Sequence, residues 1–288
     1  MCARSDIHGS DPCILCGNRL FRPVLRKAGW SYLQCTRCSL VSRRPKPSIN
    51  EIQEHYAAYL PVDAGEITAW RSMMMPVVIA SADLIESRNC ICRGSLLDVG
   101  CGYGFFLHEM KCRGWDVMGI EISETGRWYT ETTWDIPVYP AKLETLGLES
   151  ESVDVVTLFY VIEHVENPPA LLEEVRRILK PGGLVLLRWP HSTPIVKVLG
   201  PLSKKLDLYH TPYHLYDFSP ATIRMLLRQA HFENITTVIG GRTRPLGGLN
   251  HWSSMISGAV AESVYRATGG RILFPGVSKT TLAHKDTD

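Results

Sequence analysis

Two groups of residues in this 288-residue chain have types and spacings that could do chemistry. The first is Asp98-Val99-Gly100-Cys101-Gly102-Tyr103-Gly104, between a short apolar run and an amphipathic one. Glycines at a strand-to-helix turn let the backbone bend sharply and approach a ligand closely, and the start of the helix presents free N–H groups. Glu121 ends the next apolar run and is placed to accept both hydroxyls of an adenosine ribose, since one carboxylate has lone pairs for two donors. Cys101 and Ile122, beside these positions, are expected to line the same pocket. A dinucleotide fingerprint would need its third glycine at position 105, but that residue is Phe105 and the glycine comes one position early. A bulky side chain there crowds a pyrophosphate against the helix, which favours an adenosine ligand with no phosphate to seat.

The second group is Cys13-x2-Cys16 and Cys35-x2-Cys38, with 18 residues between the pairs. Such pairs make two knuckles, and four thiolates complete a zinc tetrahedron that is structural because no coordination position stays open. Cys90, Cys92, Cys101 and Cys112 have no pairing pattern and read as buried thiols.

From Ser95 onward, apolar strands alternate with amphipathic helices, the pattern of a parallel sheet covered on both faces. Strands are expected at Ser95–Val99, Trp115–Ile120, Val138-Tyr139, Val153–Tyr160, Leu184–Trp189 and near Ile235–Ile239. Asn167 followed by Pro168-Pro169 opens one helix, whose apolar stripe is Leu171, Leu172, Val175, Ile178 and Leu179. Ser219-Pro220 opens another, running to about Ala230. Residues 1–47 are read as a ragged tail, the zinc ribbon and a stiff Arg43-Arg44-Pro45-Lys46-Pro47 linker, and residues 48–92 as a helical segment with Ser48 as cap and Tyr56, Tyr59 and Trp70 as its aromatics. The catalytic domain is expected over 93–275, with a substrate cap at 191–218, and residues 276–288 as a disordered tail.

Three motifs together carry a family resemblance. Leu96-Leu97-Asp98-Val99-Gly100-Cys101-Gly102-Tyr103-Gly104 resembles the first motif of class I S-adenosylmethionine (SAM) dependent methyltransferases. Val153-Asp154-Val155-Val156 through Glu163-His164-Val165-Glu166-Asn167-Pro168 resembles their fourth-strand segment, and Leu179-Lys180-Pro181-Gly182-Gly183 the turn before their fifth strand. The resemblance covers about residues 94–240 and implies an α/β fold with a Rossmann-like seven-stranded sheet. It further implies that Asp98, Gly100 and Gly102 line the methionine end of SAM, with Glu121 on the ribose, Leu143 near the adenine and Phe159 beside the sulfonium. Where relatives often carry an acidic residue for the adenine amine, this chain has Lys142. The N-terminal cysteines resemble the zinc modules of a methyltransferase subgroup, some of whose members act on nucleotide-linked sugars or other saccharides. Glu163-His164 is similar to a metal-binding pair of ubiquinone-type O-methyltransferases, but Tyr160 stands where those enzymes have a further acid, so the pair is expected to shape the SAM pocket.

Methyl transfer to a hydroxyl or a carbon acid also requires loss of a proton, work suited to histidine. His164, His191 and His214 are the candidates, all expected at the carboxyl edge of the sheet, with His214 favoured because it lies on the cap beside Tyr213. Residues 1–47 hold nine basic side chains against two acidic ones, which makes the remainder of this +2 chain net acidic. A basic ribbon could favour an anionic partner, and an RNA methyltransferase is the alternative reading. The expected acceptor is a small molecule or saccharide, methylated on oxygen or carbon. The polar N-terminus has no secretory pattern, and the longest apolar run, Met73 to Ala80, contains Pro76, so a cytoplasmic protein is expected.

Overall fold

The structure, a computed structural model, describes residues 7–8, 11–47, 51, 59–88, 93–206, 208–243, 261, 263–265, 267–268, 273 and 277–287. Ser48, Tyr56, Cys90 and Cys92, singled out above, lie outside them.

The N-terminal region is an antiparallel sheet of β1 (Ile7–His8), β2 (Leu20–Lys27), β3 (Trp30–Cys35) and β4 (Val41–Arg44). The first eleven residues are therefore not wholly a ragged tail, because Ile7 pairs with Phe21. Helix α1 (Ala64–Arg88) follows, and then the large sheet begins. Its parallel strands are β5 (Ser95–Val99), β6 (Asp116–Ile120), β7 (Val138–Tyr139), β8 (Val153–Phe159) and β9 (Leu179–Trp189). Between them run α2 (Phe105–Cys112), α3 (Glu124–Trp134), α4 (Leu143–Leu146) and α5 (Pro168–Ile178). Strand β9 begins five residues earlier than expected, because Val153 already pairs with Leu179 ahead of the glycine turn.

The alternation of the pleat explains the apolar runs. Leu96, Val155, Leu184 and Leu186 face the layer of α1 and α2. Leu97, Val156, Val185 and Leu187 face the layer of α5 and α8 (Pro220–Gln229). Parallel strands buried on both faces read as near-continuous apolar runs. Helix ends follow their sequence signals: the Asn167 side chain accepts from Ala170 N, and Ser219 and Thr222 form a reciprocal capping box. Each such cap contributes about 1 kcal/mol.

Residues 191–218 fold as α6 (Thr193–Leu199), a 3-10 turn at Gly200–Leu202, α7 (Ser203–Leu206) and β10 (Tyr216–Asp217). β10 pairs antiparallel with β4, Tyr216 opposite Ser42 and Asp217 opposite Val41, so this segment completes the N-terminal sheet as its fifth strand. Tyr32 stacks on Tyr209 with ring centroids 4.3 Å apart and donates to Thr211 Oγ1. The N-terminal sheet and the segment expected to cap the substrate are one packed body.

The expected disordered tail at 276–288 is corrected by β12 (Lys279–Lys285), which lies between β9 and β11 (Phe232–Val238) and runs antiparallel to both. The large sheet is thus mixed, in the order β11-β12-β9-β8-β5-β6-β7. Lys279-Thr280-Thr281-Leu282-Ala283-His284-Lys285 is polar in composition, yet Thr280 and Thr281 are fully buried between neighbouring strands. Its partners lie 90–100 residues earlier in β9 and 42–53 residues earlier in β11, and pairing of that kind leaves no local pattern. Cys112 is exposed, against the expectation of a buried thiol, and Cys101 is half-buried.

Candidate active site

The glycine loop joins β5 to α2. Gly100, Gly102 and Gly104 have φ of +74°, +55° and +66°, in the left-handed region that only glycine adopts without strain. A Cβ on Gly100 would lie 2.6 Å from Val161 Cγ2, and one on Gly104 2.5 Å from Thr130 Cγ2. Gly102 differs: a Cβ there would meet nothing within 4 Å, so open space stands against its backbone. Asp98 is buried and accepts from Thr157 Oγ1 at 2.6 Å, and burial next to the charge of Glu121 pushes its carboxyl up to about 7.

Glu121 does more than end a strand. Its Oε2 accepts from Gly102 N and its Oε1 from Ser123 N, both at 2.8 Å, so the carboxylate locks the glycine loop to the start of α3. Two lone-pair positions remain for other donors. Burial raises its pKa, opposed by these backbone donors. Ile122 is exposed beside it, whereas Leu143 is buried in the core at the start of α4. Aromatic residues close the loop from outside: Tyr103 donates to Pro61 O, and Trp70 of α1 meets the Tyr103 ring edge-on at 6.3 Å.

At the carboxyl end of β8, Phe159 packs on Phe106 with ring centroids 4.7 Å apart. Tyr160 follows with φ +57°, a costly conformation for a bulky residue, and its hydroxyl accepts from Arg188 Nε at 2.8 Å. Glu163 is fully buried, and neither of its oxygens has a hydrogen-bond partner. Burial raises its carboxyl to about 8. One ligand atom each of Glu163, His164 and His214 lie within 4.8 Å of one another. His164 Nδ1 is 3.1 Å from Tyr213 O; a carbonyl only accepts, so Nδ1 carries the hydrogen of that contact, and Nε2 lies 3.9 Å from Glu163 Oε1. The His214 ring lies 4.7 Å from that of His164 and 4.9 Å from that of His210. Burial holds the His214 imidazole well below its ordinary pKa, and hence neutral.

Two of the three histidine candidates are thus brought together, and His191 is outside that cluster. Its ring packs 6.0 Å from Trp189, and burial lowers its pKa to about 4, with Lys279 as a lesser cause. The sequence reading missed Asp217, whose carboxylate accepts from Ser192 N and Thr193 N at the start of α6, and the fully buried Lys279 of β12. Asp217 lies three residues after His214, but nothing local marked it as buried; Lys279 fell in the expected tail.

At the N-terminus, the thiol sulfurs of Cys13, Cys16, Cys35 and Cys38 lie within 4.8 Å of one another, with Cys13–Cys38 and Cys16–Cys35 each at 3.5 Å. A tetrahedral zinc with bonds of about 2.3 Å separates its sulfurs by roughly 3.8 Å, so this donor set fits the ion. The shared Cys13–Cys38 hydrogen bond lowers the Cys13 thiol to about 5 and raises that of Cys38.

A largely parallel α/β sheet with a glycine loop after its first strand and an acid after its second is the arrangement of nucleotide-binding α/β folds. The chain matches a family model described as "Methyltransferase domain" over residues 30–237, and it belongs to that family. It is 29% identical over 172 residues to the ubiquinone biosynthesis O-methyltransferase of Pseudomonas entomophila, covering 56% of this chain and 74% of that protein. It is 26% identical over 199 residues to a probable S-adenosylmethionine-dependent methyltransferase of Mycobacterium tuberculosis, covering 68% of this chain and 69% of that one. Its fold is similar to that of phosphoethanolamine N-methyltransferase 2 of Haemonchus contortus, solved with SAM, at a TM-score of 0.57 and 17% identity over 85% of this chain and 63% of that one. The protein is a SAM-dependent methyltransferase.

Proposed function

We propose that this methyltransferase methylates a hydroxyl oxygen of a small-molecule acceptor, a saccharide among the candidates, with the His164–His214 pair taking the proton. The observation that carries this reading is the meeting of Glu163, His164 and His214 beyond the end of β8, close in sequence to Phe159. Relatives named O-methyltransferases support it.

The residues around the loop fit SAM. Gly102 leaves space that a side chain would fill, Glu121 retains lone pairs for ribose hydroxyls, and Ile122 and Leu143 flank the adenine. Asp98, Gly100, Cys101 and Gly102 then line the methionine end, with Phe159 beside the sulfonium. SAM supplies a methyl carbon on a positively charged sulfur, open to in-line displacement. Tyr213 O holds the hydrogen on Nδ1 of His164, which leaves Nε2 of the neutral ring to take the proton. His214, kept neutral by burial, can accept a proton as the acceptor oxygen loses it. The apolar Phe106–Phe159 wall keeps water from competing.

The four N-terminal thiols hold one structural zinc in this reading, and unpaired thiols kept for a metal suit a reducing compartment such as the cytoplasm. Among the described residues no helix is long and apolar enough to cross a membrane.

The test is a screen of hydroxylated small molecules with radiolabelled SAM, repeated with His164→Ala and His214→Ala. Both variants should lose most of the turnover while binding S-adenosylhomocysteine normally; unaltered turnover in both removes the pair as the base. The 4.8 Å spacing also favours a second reading, a divalent cation on the same three side chains. Turnover lost on chelation and restored by Mg2+, Mn2+ or Zn2+ selects that reading.

A further inference from the structure

The chain contains two deeply buried described arginines, and they are treated in opposite ways. Arg188 is 1% exposed, and its guanidinium donates to Tyr160 Oη, Ile239 O, Gly240 O, Gly241 O and Thr280 Oγ1. Arg43 is 2% exposed, and none of Nε, Nη1 and Nη2 has a hydrogen-bond partner. Its guanidinium carbon lies 3.9 Å above the centre of the Trp30 ring. A stacked ring meets the flat face of the ion and leaves its five in-plane N–H donors unsatisfied. The Glu51 carboxylate is near enough for its charge to act on Arg43, but no hydrogen bond joins them. A buried guanidinium without acceptors is among the costliest groups a fold can carry, and its planar fork matches a carboxylate or phosphate.

Arg43 also stands close to the chemistry. Its N–H donates to Leu215 O at 2.8 Å, and the N–H groups of Leu215 and Tyr216 donate to Glu163 O at 2.9 and 3.2 Å. Two hydrogen-bonded chain spacings of about 4.8 Å place its backbone roughly 10 Å from that of Glu163. Across β3 it faces Tyr32, which reaches into the 208–211 segment just ahead of His214 through Tyr209 and Thr211. The Leu215–Tyr216 backbone bridges the two.

We propose that Arg43 is the anion-binding residue of the acceptor site: the methyl acceptor carries a phosphate or carboxylate that Arg43 holds with its guanidinium fork. The inference rests on the reading of Glu163, His164 and His214 as the acceptor's reaction centre, and it narrows the acceptor to acidic small molecules. It also gives the ribbon a part in substrate recognition. The Glu51 charge screens Arg43 in the free protein and gives way to the acceptor's anion.

The experiment uses the full chain and reads binding. S-adenosylhomocysteine, inorganic phosphate and acetate are titrated by calorimetry and thermal shift into wild type, Arg43→Met, Arg43→Lys and Glu51→Gln. Wild type should bind phosphate or acetate in the millimolar range, and whichever anion binds better identifies the acidic group. Arg43→Met should weaken that binding about tenfold or more, the loss expected for a charge-assisted hydrogen bond. Arg43→Lys should weaken it less, and Glu51→Gln should strengthen it. Without anion, Arg43→Met should be at least as stable as wild type, because it removes an unsatisfied buried charge. Normal S-adenosylhomocysteine binding with no response to either anion overturns the proposal alone, whereas loss of S-adenosylhomocysteine binding in wild type overturns the methyltransferase pocket itself. Equal destabilisation by Arg43→Met and Glu51→Gln would show a structural ion pair and also overturn it.

Discussion

Gly100 and Gly102 allow the cofactor pocket to be tested apart from the stability of the fold. Both have positive φ, so alanine at either costs about 1–2 kcal/mol for entering the left-handed region. At Gly102 nothing is added to this, because the new methyl meets no protein atom within 4 Å. At Gly100 the methyl would lie 2.6 Å from Val161 Cγ2, and forcing a methyl into occupied space adds about 1–3 kcal/mol. Gly102→Ala should therefore lower Tm by about 2–4 °C per kcal/mol lost, and Gly100→Ala by visibly more. Ligand affinity should not follow stability. The Gly102 methyl occupies the space assigned to the methionine end of SAM, so Gly102→Ala should weaken S-adenosylhomocysteine at least tenfold in calorimetry while remaining the more stable variant. Wild-type affinity in folded Gly102→Ala would refute the placement of the cofactor. Equal stability of the two variants would refute the steric account of Gly100.

Glu121→Ala removes the acceptor for Gly102 N and Ser123 N as well as the proposed ribose partner, so stability should fall by about 1–3 kcal/mol and S-adenosylhomocysteine affinity should collapse, both measurable on one sample. Cys38→Ser breaks the thiol cluster, and mass spectrometry should find the zinc content near zero with the N-terminal sheet protease-sensitive; full zinc occupancy would count against a four-thiolate site. Lys279 is fully buried, and burial, aided by Arg188, lowers its pKa from 10.5 to about 8. The unfolded chain therefore binds more protons between pH 8 and 10.5, and wild-type stability should rise across that window. Lys279→Met should be more stable than wild type by up to about 3 kcal/mol below pH 8, with the gain vanishing by pH 10.5. A pH-independent difference would show that Lys279 is not desolvated as described.

The strands and helices of the catalytic sheet were legible because each signal is local. Val153–Phe159 is apolar at nearly every position since both faces are covered, Asn167-Pro168 and Ser219-Pro220 mark helix starts through their own backbones, and Gly100-x-Gly102 is dictated by φ. The cysteine pairs were equally plain, because two-residue spacing by itself brings thiols together. The sequence alone determined the family, the sheet's parallel core and the identity of the loop residues.

Tertiary structure decided the rest, and for one physical reason: burial and long-range pairing are not properties of a segment. The polar β12 became an internal strand only because β9 and β11 had hydrogen bonds to complete. Residues 191–218 joined the N-terminal sheet by pairing β10 with β4, which carried Arg43 toward Glu163. Glu163, His164 and His214 meet because Leu215 N and Tyr216 N donate to Glu163 O, bridging some fifty residues of chain. His191 looked equivalent in sequence, yet it follows the neighbouring strand β9 and packs on Trp189. Which histidines face each other, and which arginine is left without an acceptor, followed from how the two sheets dock.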